Sequence, residues 1–368
     1  MRSGVLTAFM AGLVAIPGGP VSGQSAREQA RGYVQIAERL GPKVHLLRQA
    51  EPNFAGVVGN VVVIEQRDGL VLVDAGVSPG SGHRIVELVR GLSPKPVKTV
   101  VVTHWHGDHH LGLSAIVAAW PGVDIVAHRN AAADIDTLMT TFPRTPSATY
   151  EAERIRLLGA NMDQLAGDQL AKAATPEERA GWRKALIDNR ALRFADVAGT
   201  QLVLPKRTFA DTLTLPDADV PIELRYLGRA NTTGDLVAWL PRQRTLVTGD
   251  IVVEPVPFMI SVFPSDLVET IGRIRAIPFE VLVPRHGLPQ RDRVFLDRLT
   301  ALMRDAVRQV TPLAQAGVPV DSVPARIDLT KHGAGFAGSD AWLGYWFDQY
   351  TLAPLIESVY RQARAGGG

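Results

Sequence analysis

The chain is 368 residues long, 46% hydrophobic and 21% charged, an ordinary globular composition that excludes intrinsic disorder, collagen and coiled coil. That length suits two domains or one large α/β unit. Its 39 basic and 37 acidic residues leave a formal net charge of +2, too even for a nucleic-acid footprint. Cysteine is absent, which excludes disulfides, thiolate ligands and a cysteine nucleophile; any metal must be held by nitrogen and oxygen.

Residues 1–26 read as a signal peptide. Arg2 supplies positive charge, Val5–Ile16 form a short apolar run, and Pro17-Gly18-Gly19-Pro20 break it. A membrane span needs about 20 apolar residues, so the expectation is cleavage near Gly23 or Ala26, a periplasmic or secreted protein, and no stable membrane association afterwards.

Asn60–Ile64 and Leu70–Val73 flank Arg67-Asp68-Gly69, and the Asp-Gly turn predicts an antiparallel hairpin. Ile85, Val86, Leu88 and Val89 recur at helical spacing, and Pro94 and Pro96 stop that helix before a strand over Val97–Thr103. Further strands are predicted at Asp124–Ala127, Ile222–Tyr226, Leu236–Leu240, Thr245–Thr248 and Val281–Val283. Several end at polar residues, and loops at strand ends carry chemistry in layered α/β folds.

From about 131 to 199 the sequence is rich in Ala, Leu, Arg and Glu and predicts a helical insertion. Its apolar residues Met139, Phe142, Met162 and Trp182 suit either a lid over the strand ends or a pair of helices packed on the scaffold. A helical C-terminal extension follows over 291–368, where Phe336, Trp342, Tyr345, Trp346, Phe347, Tyr350 and Tyr360 read chiefly as core, with a homodimer face or a substrate-pocket role left open.

The stretch Thr103-His104-Trp105-His106-Gly107-Asp108-His109-His110 follows an apolar strand directly. With His286 it uses five of the nine histidines. Buried polar groups without partners cost about 1 to 3 kcal/mol each, and a bound cation removes that cost. In this reading His104 and His106 face one ion while Asp108 and His109 face another.

Here the sequence resembles the metallo-β-lactamase superfamily, whose HxHxDH signature is matched by His104, His106, Asp108 and His109, extended by Gly112. Leu72–Gly76 matches the strand-end aspartate motif, Thr248-Gly249-Asp250 the metal-bridging aspartate, and Pro284–Gly287 the last histidine ligand. The resemblance implies an α/β fold, an αββα sandwich, over residues 42–290. It also implies a metal set of His104, His106, Asp108, His109, Asp250 and His286, with Asp108 catalytic and Asp74 and His110 behind the ligands. One position departs: Leu227–Asp235 looks like the family's Gly-x-Ala-His-Thr-x-Gly-Asp, but Asn231 stands where the third histidine of the first site is expected. An amide oxygen is the weaker zinc ligand. Three readings stay open, a dinuclear enzyme with a softened first site, a mononuclear enzyme using the second site, and an inactive relative.

The resemblance further implies one or two zinc ions, with room for iron or manganese, and a zinc-activated hydroxide attacking an ester-like bond of a small-molecule substrate: lactone, thioester, amide, or sulfate or phosphate ester. A periplasmic β-lactamase is the runner-up, although in dedicated β-lactamases the position of Asp250 is usually cysteine or serine. A non-catalytic protein and an iron-dependent redox relative also fit the pattern. His45, His83, His128 and His332 show no ligand spacing and are read as structural.

Overall fold

The computed structural model describes residues 35–49, 58–145, 167–183 and 199–365. The expected signal peptide and Met162 lie outside the described residues, as does much of the expected insertion. The chain divides into two units: residues 1–209 with 216–221, and 210–215 with 222–368.

The first unit is built on a seven-stranded sheet in sequence order: β1 Gln35–Gly41, β2 Val44–Gln49, β3 Val61–Glu65, β4 Leu70–Val73, β5 Val97–Val102, β6 Asp124–His128 and β7 Arg207–Phe209. The first four pair antiparallel and the last four parallel. β3 and β4 form the predicted hairpin, registering Val62 with Val73 and Ile64 with Val71. The parallel pairs need crossovers, supplied by helices α1 Pro79–Leu92 and α2 Leu113–Ala119, while α3 Arg129–Leu138 leaves the end of β6.

Strand side chains alternate faces. Val61, Val63, Leu70, Leu72, Val100 and Val102 therefore share a face, and they pack with Ile85, Val89 and Ile116 of the helices in one buried core. The residues between them, Val62, Ile64, Val71, Val73 and Val101, are buried too, which explains why these strands are nearly continuous Val, Ile and Leu. Ser78 caps α1 by accepting from the Ser81 N–H, and Ser81 reciprocates in a capping box. The described part of the insertion contains α3 and α4 Pro176–Arg183. Met139 and Phe142 belong to the sheet-and-helix core, as the scaffold reading expects of them.

The second unit holds a five-stranded sheet ordered β12-β11-β10-β9-β8, from β8 Thr212–Leu215, β9 Ile222–Tyr226, β10 Leu236–Leu240, β11 Thr245–Val247 and β12 Val281–Val283. Its pairs are antiparallel except β11 with β12, whose crossover carries α5 Pro264–Arg275. The C-terminal region is helical, as expected, with α6 Val294–Gln315 and α7 Ala353–Ala365. The aromatic cluster there is largely core: Phe336 packs on Phe295 at 5.5 Å and Phe347 at 5.6 Å, and Trp346 stacks on Tyr350 at 4.2 Å between ring centroids. Among the described residues no helix is long and apolar enough to cross a membrane.

Candidate metal centre

Each unit gathers its share of the expected ligands at one edge of its sheet. In the first, β4, β5 and β6 run parallel, so their carboxyl ends open on one edge. Asp74 follows β4, the histidine loop follows β5, and His128 ends β6. The loop turns at once into a helical turn, Gly107–His110. At Gly107 a Cβ would sit 2.8 Å from Leu111 Cδ1, so a larger residue would displace that side chain. Backbone bonds fix the loop: Ala75 N–H donates to His109 O at 2.8 Å and Leu111 N–H to Gly107 O at 2.9 Å.

His104, His106, His109 and His110 are all buried. The His104 ring lies 3.8 Å from the His109 ring and 4.6 Å from the His106 ring. His104 is thus nearer to His109 than to the residue with which sequence spacing grouped it. Asp108 is half-buried, its Oδ2 3.4 Å from His109 Nε2.

Asp74 has φ +67°, a left-handed conformation that short polar side chains tolerate better than most. Its carboxylate accepts from Thr103 N at 2.9 Å and from Thr103 Oγ1 at 3.0 Å, and Oδ2 lies 2.9 Å from His109 Nδ1. A carboxylate only accepts, so His109 carries its proton on Nδ1 and directs the Nε2 lone pair to the other side of the ring, the arrangement of a ligating histidine. His110 Nε2 donates to Trp105 O at 2.9 Å. Burial pushes the His110 imidazole down to about 4, so it is neutral at physiological pH and braces the loop. His128 accepts from the Asn130 N–H and caps α3.

In the second unit β11 and β12 run together and β10 opposes them. The turn before β10 and the ends of β11 and β12 therefore share an edge, bringing Asn231, Asp250 and His286 to it. The two strand ends are zipped together. Arg285 N–H donates to Gly249 O at 3.2 Å, and Glu254 N–H donates to His286 O at 3.1 Å. His286 Nε2 lies 3.7 Å from Asp250 Oδ1. Gly287 adopts φ +98° with Glu254 packed where its Cβ would be, and Glu254 Oε2 accepts the Leu288 N–H at 3.1 Å. Burial pushes the Glu254 carboxyl up.

The segment around Asn231 is equally constrained. Ala230 N–H donates to Thr232 O at 3.1 Å, Phe263 N–H donates to Ala230 O at 2.8 Å, and Thr232 Oγ1 donates to Asp235 Oδ2 at 2.9 Å. Asn231 is 2% exposed, yet neither Oδ1 nor Nδ2 has a hydrogen-bond partner among the described residues. The donors, imidazoles and carboxylates plus a buried amide left without partners, fit a divalent cation bound by nitrogen and oxygen.

The sequence profile of the metallo-β-lactamase superfamily matches residues 55–293, more than half of the chain, which belongs to that superfamily. Within it, a curated relative is a linear primary-alkylsulfatase from a Pseudomonas species, 24% identical over 289 residues, 74% of this chain and 51% of the relative. The chain thus spans about half the length of the curated relative it matches. Among solved structures, the stereoselective inverting sec-alkylsulfatase Pisa1 from Pseudomonas sp. superposes with a TM-score of 0.60 at 17% identity, covering 96% of this chain and 54% of that one. A metallo-β-lactamase from Pontibacter korlensis gives 0.50 at 18% identity, covering 74% and 99%. These likenesses show the fold.

Proposed function

We propose that this chain is an exported, metal-dependent hydrolase of sulfate esters. The observation that carries the reading is the alkylsulfatase relative, aligned over 74% of the chain. Zinc is the ion that the donor chemistry suits best. The proposed ligands are His104, His106, Asp108 and His109 of the first unit and Asn231, Asp250 and His286 of the second.

When bound, such an ion supplies Lewis acidity, lowering the pKa of water towards neutrality and withdrawing charge from the ester oxygens. Asp74 and Thr103 hold the His109 tautomer and ring plane. Asp108, half-buried beside His109, is the proposed group to orient the attacking water and take its proton. His110 remains neutral and braces the loop through the Trp105 carbonyl. The substrate is a small molecule, and the even charge balance argues against nucleic acid.

Purified, zinc-loaded protein is assayed for sulfate release from a primary alkyl sulfate beside lactone, thioester, phosphodiester and nitrocefin substrates. Chelator-sensitive sulfate release is the expected result. Turnover of nitrocefin or a lactone without sulfate release overturns the substrate assignment.

A further inference from the structure

The second unit contains a polar group that its own packing does not explain. The Asn231 amide is buried with neither polar atom hydrogen-bonded among the described residues, although an unpaired buried amide is costly. The surrounding backbone is held from several sides. Thr232 is tied to Asp235, Gly234 N–H donates to Thr232 Oγ1 at 3.2 Å, and Phe263 binds the Ala230 carbonyl. On the far side of the loop, Thr270 Oγ1 donates to Arg229 O at 2.9 Å. These bonds fix the backbone that carries the amide. A buried amide with unused hydrogen-bonding capacity, at the sheet edge that carries Asp250 and His286, points to a ligand.

The chemistry of the amide narrows what that ligand is. A primary amide presents one acceptor oxygen and two N–H donors from a single planar group. A neutral imidazole that ligates through one nitrogen has its N–H on the opposite side of the ring, directed away from the ion. A carboxylate has no donor and repels an anion. Asparagine is the side chain among these three that can face a cation with its oxygen and donate to an anion beside that cation with its nitrogen. Sulfate oxygens carry negative charge and only accept.

We infer that Asn231 is a specificity-determining residue, with Oδ1 facing the cation and Nδ2 donating to a charged oxygen of the sulfate group. The inference rests on the sulfate-ester reading above, and it assigns to Asn231 a role beyond that of a weakened metal ligand.

The test uses the full-length, zinc-loaded protein with inorganic sulfate as the probe. Asn231→Asp keeps an oxygen ligand but loses the donor; Asn231→His keeps a neutral metal ligand but loses the amide. Circular dichroism confirms folding, elemental analysis gives zinc per chain, and calorimetry gives the sulfate dissociation constant. Both variants are expected to hold at least as much zinc as the parent and to bind sulfate about tenfold or more weakly, the effect of one hydrogen bond to a charged group. Folded variants that bind sulfate within twofold of the parent overturn the inference, as does weakening confined to Asn231→Asp, which is charge repulsion alone. Loss of zinc from both variants overturns it too, because Asn231 is then only a ligand. A parent that binds no sulfate removes both this inference and the sulfate-ester reading. A parent that binds sulfate through Asn231 but hydrolyses no sulfate ester removes that reading alone.

Discussion

Replacing Asp74 tests how the histidine loop is held. The carboxylate accepts from Thr103 N, Thr103 Oγ1 and His109 Nδ1 at 2.9 to 3.0 Å, and all three residues are buried. Asp74→Ala leaves three donors without this acceptor at about 1 to 3 kcal/mol each. Because the donors share one acceptor the losses are not additive, and about 3 to 5 kcal/mol is expected. The φ of +67° adds about 1 kcal/mol, since alanine tolerates the left-handed region less well than aspartate. Asp74→Asn keeps an oxygen for Thr103 and the backbone tolerance but sets its own donor against His109 Nδ1, so its stability loss is smaller, about 1 to 2 kcal/mol. Both variants free the His109 ring to reorient, which lowers metal affinity about 10- to 100-fold. Urea unfolding followed by circular dichroism reads the first quantity and competition with a chromophoric chelator the second. An Asp74→Ala variant within about 1 kcal/mol of the parent, with unchanged metal affinity, refutes the reasoning.

Three further outcomes follow from the geometry. Gly112→Ala places a Cβ 2.1 Å from Ala75 O and 3.1 Å from Gly82 Cα; because backbone must move, a loss above about 3 kcal/mol is expected in the same urea assay. Gly91→Ala meets nothing within 4 Å in α1 and is expected to leave stability unchanged or raise it by about 0.5 to 1 kcal/mol. Burial alone raises the Asp305 carboxyl, but hydrogen bonds from Lys331, His332, Arg308 and Gln309 outweigh it and hold the group well below the usual range. Its contribution is therefore present above the unfolded-state value of about 3.9 and lost as pH falls below it, so Asp305→Asn should flatten the acid limb of the stability profile. An unchanged acid limb contradicts that assignment.

β3 and β4 were legible because both faces are buried and the sequence is a run of Val, Ile and Leu, whereas β9, partly exposed on one face, shows the apolar-polar alternation Ile222-Glu223-Leu224-Arg225. Val61–Glu65, Val97–Val102, Ile222–Tyr226 and Leu236–Leu240 each lie within a residue of expectation. β1 was not legible. Its residues Gln35–Gly41 include Ala, Glu, Arg and Leu, good helix formers, and most of its positions are partly or fully exposed, so no alternation marks it. β7 is three residues long and β8 four, too short for a periodic signal. In the insertion, apolar residues at helical spacing do not reveal which surface they cover, and Met139 and Phe142 turned out to be core.

At the candidate site, the order of the motifs identified the histidines and carboxylates, but their grouping depends on side-chain direction. Spacing pairs His104 with His106, whereas the His104 ring lies nearer to His109. His128 shows what spacing misses: it caps a helix through an acceptor nitrogen, a role without a long-range sequence signature. Asn231 was visible as a departure from the family pattern, but the isolation of its amide becomes apparent only from the packing.

The central claim of the proposed function is that the imidazoles and carboxylates at the strand ends of each unit bind metal. Zinc per chain, measured by elemental analysis after loading and gel filtration, tests it with His109→Ala in the first unit and Asp250→Ala in the second. The account predicts that the parent retains zinc and that each single substitution, with the fold intact by circular dichroism, lowers the zinc content. A parent that retains none, or variants that retain as much as the parent, contradicts it.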